Sequence, residues 1–442
     1  MTASDSSTVS CNASPSDDKK EAPLDPMFME QARAIVKGGE VLPSIDHLAR
    51  RLQRAAENQT PLRVKLGLDP TRPDLHLGHA VVLKKLRLFQ DLGHQAVLII
   101  GDATAMIGDP SGKNETRPPL TEDEVKANAE TYLAQAGKIL KVDKTEIVRN
   151  SHWFETMNLG DFLKLSARAT IAQILERDDF NKRYTEGRPI YMHELFYPLM
   201  QGYDSVMIDS DIELGGSDQR FNNLMGRELQ NAYGRDKEDS EKKEPQLVIL
   251  APILEGTDGV VKMSKSYPEH CINLTDEPFD FYGKIMSIQD ELIARYETLL
   301  TPMNEEQIAQ QKKMMGLSKE QGGINPRDVK ANLAKWLVGE FFGQEDANAA
   351  EERFIQQFQK KQIPDDIPEI TLTADTSYEL LALIVEHKMA PSKSEARRLF
   401  SGGAVKLNGE KVLELDGTAQ GASGSHVVLQ VGKRRFLKLN FN

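Results

Sequence analysis

Two short runs contain side chains suited to holding a nucleoside triphosphate. His76 and His79 flank Gly78, so two imidazole N–H groups can donate to phosphate oxygens while the glycine lets the main chain or a purine ring approach closely. Lys262 and Lys265 place two ammonium groups three positions apart, where they could meet the charge that builds on pyrophosphate. Each run alone is weak evidence, because an isolated histidine is commonly a helix cap and a lysine-rich pentapeptide is commonly a solvated loop.

A third polar turn contains Asp109, Lys113 and Arg117 and superficially resembles a phosphate-binding loop. It lacks the Gly-x4-Gly-Lys-Ser/Thr spacing, which excludes a P-loop NTPase. Asp109 could instead bind a substrate ammonium group, and Lys113 and Arg117 could be mobile phosphate contacts.

Tyr197, Gln201 and Asp204 are spaced so that all three share one face of a helix. A phenol, an amide and a carboxylate directed into one pocket could hold an amino acid; the alternative is an exposed polar stripe. Further along, Asp218 and Gln219 follow a glycine pair that ends at Gly216, which suits a close approach to a ribose or an adenylate.

The elements that must position these groups form a βαβ pattern. Residues 64–68 and the continuous apolar run 96–100 are typical of strands, and residues 78–92 of a helix between them. This alternation predicts an α/β fold with a Rossmann-like parallel sheet, in which ligands bind beyond the carboxyl ends of the strands. The histidine run falls at that edge, where helix N-termini favour phosphate. We also predict a helical segment at 27–58, mostly helix at 110–205, an extended segment at 206–214, a helix at 221–233, a charged loop at 235–244 and a strand at 246–251.

Composition and length indicate two or three domains in a globular chain. The 442 residues are 39% hydrophobic and 28% charged, and the longest apolar runs are far too short to cross a bilayer. The predicted organisation is a disordered tail at 1–26, a catalytic domain with a helical insertion at 27–277, an α-helical domain at 278–360, a linker at 361–375 and a small α+β module at 376–442.

Charge is distributed unevenly along the chain. The net charge is −12, yet residues 376–442 contain ten Lys or Arg and six Asp or Glu. A basic end module on an acidic body suits contact with a polyanion, although a solvated mixed-charge face would look the same. Cys11 and Cys271 are the cysteines of the sequence, and two cysteines are too few for a disulfide framework or a Cys-based zinc site, so we expect a reducing cytoplasm. The Ser- and Asp-rich N-terminus is unlike a secretory signal.

Taken together, these motifs resemble those of bacterial tyrosyl-tRNA synthetases, which are class I aminoacyl-tRNA synthetases. The resemblance covers residues 30–442 and points to the branch with a Lys-Met-Ser-Lys-Ser run. The last module resembles an S4 RNA-binding domain, whose basic candidates are Lys393, Arg397, Arg398 and Lys406. The segments that carry the resemblance are 67–71, 76–79, 101–113, Tyr197 to Asp204, 215–219 and 262–266.

The resemblance implies that tyrosine is activated with ATP to tyrosyl-adenylate and pyrophosphate, and is then transferred to the 3′ end of tRNA(Tyr). Asp204 would accept a hydrogen bond from the substrate phenol. Mg²⁺ would accompany ATP as part of the substrate, with no protein metal site and no tightly bound cofactor, and the protein would be a cytoplasmic homodimer whose residues 278–360 face the anticodon. The implied phosphate-stabilising residues are Thr71, His76, His79, Lys113, Arg117, Lys262 and Lys265. The implied nucleotide and adenylate contacts are Asp69, Gly78, Gly216, Asp218, Gln219 and Lys265, and the implied ammonium contacts are Asp109, Tyr197 and Gln201.

One position departs from the family pattern. Many members have a tyrosine as a second phenol contact where this chain has Lys65. The alternatives are a tryptophanyl-tRNA synthetase of the same fold, a small adenylyltransferase, and a non-catalytic RNA-binding relative of a synthetase. An indole has no need of the Asp204 acceptor, and a small acceptor has no need of an S4-like module.

Overall fold

The computed structural model describes residues 23–110, 121–235, 243–264, 267–359, 367–432 and 435–442. They form two compact units, and the first contains the described parts of Met1–Gly256, Val260–Leu274 and Arg295–Asn304. The second unit contains Thr257–Gly259, Thr275–Ala294 and the described parts of Glu305–Asn442. Most of the predicted tail, residues 1–22, lies outside the described residues, as do 236–242 of the charged loop and 360–366 around the predicted linker.

A six-stranded sheet forms the centre of the first unit, which confirms the predicted α/β class. Its order is β1-β6-β5-β2-β3-β4, with β1 antiparallel to β6 and all other neighbours parallel. The chain leaves β2 toward β3 on one side and returns to β5 on the other, so the topological switch point lies between β2 and β5. The strands are β1 (Glu40–Leu42), β2 (Arg63–Leu68), β3 (Gln95–Ile100), β4 (Thr145–Arg149), β5 (Ile212–Gly216) and β6 (Leu247–Ala251).

Helices surround this sheet, and several of them begin at residues whose side chains satisfy the first N–H groups. Thr121 and Glu124 form a reciprocal capping box at α5, and Thr170 and Gln173 form another at α8. Strand β3 is buried along nearly its whole length, as its continuous apolar run predicts. The helices are α1 (Pro26–Val36), α2 (Ile45–Glu57), α3 (Leu77–Asp91), α4 (Asp102–Ile107), α5 (Glu122–Ala136), α6 (Ser151–Phe154), α7 (Leu159–Ser166), α8 (Ile171–Ile174), α9 (Asp178–Thr185), α10 (Met192–Met207) and α11 (Arg220–Gly234).

Two local predictions were wrong in the first unit, and a third was incomplete. Residues 27–58 are two helices with strand β1 between them, because Gly38 adopts a φ of 69° that ends the first helix. The described part of 110–205 is mostly helical, as predicted, but it includes the unpredicted strand β4, whose partly exposed residues mix polar and apolar side chains without a long apolar run. The stretch 206–214 is extended only from Ile212, since α10 continues to Met207.

The helical part of the second unit confirms the secondary structure predicted for 278–360. Pro278 and Pro326 occupy the first turns of α12 and α15, where their missing N–H is no loss. Phe281 packs edge-on against Phe341 and Phe342 in the core of this part. The helices are α12 (Pro278–Met286), α13 (Ile293–Leu300, in the first unit from Arg295), α14 (Glu305–Met315), α15 (Pro326–Phe341) and α16 (Gln344–Phe354), followed by a π-helical turn at Ile355–Gln359.

The C-terminal module has a five-stranded sheet in the order β10-β9-β12-β13-β7 and a two-stranded pair β11-β8. Strand β7 pairs in parallel with β13, so the prediction of a linker was wrong for residues 369–372. Ile384, Phe400 and Leu439 are fully buried in the core of this module. The elements are β7 (Glu369–Leu372), β8 (Tyr378–Glu379), α17 (Leu380–Glu386), α18 (Lys393–Ser401), β9 (Val405–Leu407), β10 (Glu410–Lys411), β11 (Thr418–Ala419), β12 (His426–Val431) and β13 (Arg435–Phe441).

Candidate active site

The predicted site residues of the first unit gather at the carboxyl ends of its parallel strands. Asp69 follows β2, Gly101 follows β3, Asn150 follows β4, and Gly216 is the last residue of β5. Because the carboxyl ends of parallel strands share one edge, four separate chain segments reach the switch point together.

The two histidines cap the helix that starts at this edge. The Gly78 N–H donates to His76 Nδ1 at 3.1 Å, and the His76 N–H donates to His79 Nδ1 at 3.2 Å. A neutral imidazole that accepts through Nδ1 has its proton on Nε2, so each ring presents Nε2–H as a donor. The capping role and the predicted phosphate-donating role are therefore compatible, because they use different ring nitrogens. The ring centroids lie 3.9 Å apart.

Asp69 is held by two hydroxyl groups. Thr104 Oγ1 donates to Asp69 Oδ1 and Tyr197 Oη donates to Asp69 Oδ2, each at 2.8 Å. The pKa of Asp69 is raised to about 7: burial is the largest cause, the two hydroxyl bonds oppose the shift, and the nearby Asp109 and Asp102 carboxylates add to it. Tyr197 thus contacts Asp69 directly, and burial raises the pKa of its phenol well above the ordinary value.

Gly101 makes this arrangement possible. A Cβ atom at that position would lie 2.1 Å from Asp69 Oδ1 and 2.4 Å from Thr104 Oγ1. Both neighbours are short side chains already bonded to each other, so neither has room to move away.

Asp109 accepts hydrogen bonds from two residues of the same pocket. Arg177 Nη2 donates to its Oδ1 at 2.9 Å and Gln219 Nε2 donates to its Oδ2 at 2.7 Å. Asn222 Nδ2 donates to the side-chain oxygens of both Gln219 and Gln201, each at 2.9 Å. The predicted ammonium contacts Asp109 and Gln201 are therefore joined through one amide network.

Asp204 is a buried carboxylate whose two oxygens are both oriented. Trp153 Nε1 donates to Oδ1 at 3.1 Å, and Asn150 Nδ2 lies 3.4 Å from Oδ2. Asn150 Nδ2 also donates to Thr104 Oγ1 at 3.1 Å, which links Asp204 to the Asp69 cluster. Burial raises the pKa of Asp204 to about 7, and Lys65, Asn150 and Trp153 oppose that shift.

Lys65 occupies the position that departs from the family pattern. Its ammonium group is completely buried and donates to the Gln201 carbonyl, to Ser205 Oγ and to Glu213 Oε1. The side chain therefore contacts helix α10 from the sheet side.

The run that contains Lys262 begins beside the glycine pair that ends at Gly216. Lys262 Nζ is 2.5 Å from Asp218 Oδ2, and half of the Lys262 side chain is exposed. A Cβ atom at Gly216 would lie 2.4 Å from Asp218 Oδ1, so this glycine gives the Asp218 carboxylate its space. A half-exposed lysine on a partly exposed carboxylate is held weakly, which leaves it able to turn toward a bound phosphate.

The remaining predicted residues fall into two groups. Thr71 donates its N–H to the Asp69 carbonyl at 2.8 Å, whereas Lys113, Arg117 and Lys265 lie outside the described residues. The basic candidates of the C-terminal module are exposed on α18 or half-buried on β9, and one of them, Arg398, pairs with Glu395 at 3.1 Å. These four residues are Lys393, Arg397, Arg398 and Lys406.

Several functional residues were missed by the sequence interpretation. Thr104, Asn150, Trp153 and Arg177 all bond directly to predicted site carboxylates. A signal existed for Asn150, which is a polar residue directly after a parallel strand, but β4 itself was not predicted. The described residues contain no group of three or more His, Cys, Asp or Glu arranged to hold a metal ion, and no helix among them is long and apolar enough to cross a membrane.

Comparison with known proteins places this geometry in a family. The model of class I tRNA synthetases (W and Y) matches residues 57–359, and that of the tyrosine–tRNA ligase SYY-like C-terminal domain matches residues 359–439. A tyrosine–tRNA ligase of Thermotoga maritima is 49% identical over 93% of this chain and 97% of its own length. A tyrosine–tRNA ligase 2 of Pseudoalteromonas translucida is also 49% identical, over 93% of this chain and 99% of its own.

Solved structures agree at the level of the fold. A truncated mitochondrial tyrosyl-tRNA synthetase from Aspergillus nidulans has a TM-score of 0.60 at 21% identity, covering 75% of this chain and 94% of its own. The tyrosyl-tRNA synthetase of Aeropyrum pernix has a TM-score of 0.56 at 19% identity, covering 75% of this chain and 99% of its own. The chain belongs to the class I tRNA synthetases of the tryptophan and tyrosine group, and its parallel sheet is consistent with that class. Within that group, the chain belongs to the tyrosine–tRNA ligase family, as its resemblance had predicted.

Proposed function

We propose that this protein activates L-tyrosine with ATP and then transfers the tyrosyl group to the 3′-terminal ribose of tRNA(Tyr). The observation that supports this most strongly is the buried Asp204 acceptor, oriented by Trp153 and Asn150. It lies on the same helix as Tyr197 and Gln201, two of the residues expected to bind an ammonium group. Gln201 is linked through Asn222 and Gln219 to Asp109, the carboxylate of that set. A substrate with an ammonium group at one end and a hydroxyl donor at the other matches both ends of this pocket.

Activation forms one bond and breaks another at the α-phosphorus of ATP. A tyrosine carboxylate oxygen attacks the α-phosphorus, and the bond from that phosphorus to the bridging oxygen of pyrophosphate breaks. No protein nucleophile is needed, so catalysis consists of positioning and of stabilising the developing charge. His76 and His79 supply Nε2–H donors at the start of α3, and Lys262 supplies a cation. Thr71, Lys113, Arg117 and Lys265 are proposed to complete this set.

The nucleotide and adenylate are proposed to lie along the glycine-rich edge. Gly78 and Gly216 leave room beside the main chain, and Asp218 and Gln219 are suited to ribose and adenylate hydroxyl groups. Asp69 is proposed to contact both substrates, because it accepts a hydrogen bond from Tyr197, a proposed tyrosine contact, and directly follows β2, the strand that leads to the histidine-capped helix. Mg²⁺ is proposed to enter with ATP, bound mainly by the phosphates.

The second unit is proposed to bind tRNA. Residues 278–360 would face the anticodon, and the basic candidates on α18 and β9 would contact RNA phosphates, which position an RNA without reading its sequence. The match of the SYY-like C-terminal domain from residue 359, together with strand β7, supports a C-terminal module that begins before residue 376.

A cytoplasmic homodimer is proposed as the working form. The helical insertion exposes several large apolar side chains, which are proposed to be covered by the partner subunit. These residues are Leu159, Leu163, Ile171, Tyr184, Tyr191 and Met192, whose exposed fractions lie between 52% and 72%. Light scattering coupled to size exclusion tests this state, and a monomer at micromolar concentration would contradict it.

Tyrosine-dependent ATP–pyrophosphate exchange tests the activity itself. Exchange with tyrosine is expected, whereas exchange with tryptophan instead would assign the protein to the other branch of its family. No exchange with either amino acid would favour a non-catalytic RNA-binding relative. Transfer of labelled tyrosine to a tRNA(Tyr) transcript tests the second step.

A further inference from the structure

A fully buried ion pair lies beneath the amino-acid pocket. Lys65 Nζ is 2.8 Å from Glu213 Oε1, and the two side chains are 0% and 1% exposed. They are direct register partners on the neighbouring parallel strands β2 and β5. Ser205 Oγ donates to the second carboxylate oxygen at 3.0 Å, and Gln246 Nε2 also donates to it, so both charges are well satisfied.

Stability alone gives little reason for such a pair. Removing two charges from water costs about as much as their attraction returns, and a well-packed apolar pair commonly serves as well or better. A completely buried lysine at the centre of a parallel sheet therefore suggests a function.

The position of the ammonium group indicates what that function is. Its two other acceptors are the Gln201 carbonyl, at 2.9 Å, and Ser205 Oγ, at 2.7 Å. These residues bracket Asp204 on α10, three positions before it and one after. The cation is therefore held against the helical turn that contains the proposed phenol acceptor.

The surroundings of Asp204 make this cation important. Asn150 and Trp153 are neutral donors, while the charged side chains that face Asp204 from the sheet are Lys65 on β2 and Glu213 on β5. Burial raises the pKa of Asp204, and the Lys65 charge is the largest influence that lowers it. The Glu213 carboxylate raises this pKa as burial does, but its influence is smaller than that of Lys65. The pair as a whole thus favours the ionised carboxylate.

We propose that Lys65 is a positioning residue for tyrosine selection: its buried charge keeps Asp204 an ionised acceptor for the phenolic O–H, and its bond to the Gln201 carbonyl holds the turn between the two substrate contacts. This inference rests on the proposed tyrosine activation. It also explains how the pocket works with a lysine where relatives place a phenol-contacting tyrosine, because here the residue acts through Asp204.

The test replaces both charges at once. Lys65→Met/Glu213→Gln removes the pair without leaving an uncompensated buried charge, so its unfolding temperature should stay near that of the wild type. An increase of one in the pKa of Asp204 would lower kcat/KM for tyrosine by about tenfold on the acid side of neutrality. We expect this fall in kcat/KM to appear as a higher KM for tyrosine, with the KM for ATP unchanged. The difference between the two proteins should shrink toward pH 9, because Asp204 is then ionised in both.

Lys85→Met is the matched control. Lys85 is another buried ammonium group in the same unit, and within the described part of the chain it bonds to the carbonyls of Ile35 and Lys37, which lie outside the pocket. Its loss should leave the tyrosine KM and the shape of the pH profile unchanged.

Two results would overturn the inference. One is a folded double variant with the wild-type tyrosine KM at every pH. The other is a fall in kcat/KM for tyrosine that is equal at all pH values, which would indicate an effect of packing alone. If the Met–Gln pair does not fold, Lys65→Gln/Glu213→Gln retains polar partners without charge and is judged by the same two results. Absence of tyrosine-dependent exchange in the wild type would instead reject the proposed function.

Discussion

Asp204→Asn should stabilise the free protein increasingly as pH rises while weakening tyrosine activation. The folded-state pKa of Asp204 is raised from 3.8 to about 7 by burial, so the folded protein resists losing this proton. Below the unfolded pKa both states are protonated and the full stability is present. As pH rises between the two values, stability is lost, and above the folded pKa the whole cost of ionising the buried group remains.

The size of the effect follows from these two pKa values. Ionisation of Asp204 costs roughly 2 kcal/mol of folding free energy at about pH 5.5 and roughly 4 kcal/mol at about pH 8.5. The asparagine removes this cost, but its side-chain N–H group faces the N–H group of Asn150. That unfavourable contact lowers the stability of the variant by about 1–3 kcal/mol at every pH. The pH-dependent part of the difference, about 2 kcal/mol, is therefore the cleaner quantity.

Calorimetric unfolding of both proteins at the two pH values measures this difference. The unfolding temperature of the variant relative to the wild type should rise by about 4–8 °C from the lower to the higher pH for a unit of this size. Tyrosine kcat/KM should fall by about 10- to 100-fold, because a charge-assisted bond to the phenol is lost. An offset in unfolding temperature that is the same at both pH values would refute the reasoning, since Asp204 would then titrate near its ordinary pKa.

Three further substitutions test other parts of the site. Gly101→Ala should lower kcat/KM by about 100-fold with an unchanged circular dichroism spectrum, since its Cβ would displace Asp69; near-normal kinetics would contradict the close contact. Tyr197→Phe removes a bond that lowers the pKa of Asp69, so the acid limb of the kcat/KM profile should move to higher pH; an unmoved limb would mean that Asp69 does not control it. Lys262→Ala should lower kcat by about 100-fold with little change in the tyrosine KM, and a change confined to KM would reject its role in charge stabilisation.

The predictable part of the site is the part that helical and strand geometry determines locally. The spacing of Tyr197, Gln201 and Asp204 requires them to share a helix face, and α10 confirms it. The histidines follow a strong strand and begin a helix, so their place at the switch point could also be anticipated.

The parts that could not be predicted depend on contacts between distant segments. Lys65 and Glu213 meet only because β2 and β5 pair in one particular register, and nothing near Lys65 in sequence indicates a buried partner. Asn150 and Trp153 follow β4, an edge strand whose mixed polarity concealed it. Strand β7 could not be distinguished from a linker in the sequence, because it is stabilised by pairing with β13 at the far end of the module, where Glu369 is the register partner of Lys438.

Pyrophosphate exchange with tyrosine and phenylalanine, compared between the wild type and Asp204→Ala, tests the central claim most directly. The wild type should exchange with tyrosine and strongly reject phenylalanine, which would leave the buried carboxylate without its hydroxyl donor. In the variant the tyrosine rate should fall and the preference should narrow by about 10- to 100-fold. An unchanged tyrosine-to-phenylalanine ratio would show that Asp204 is not the phenol contact and would contradict the account.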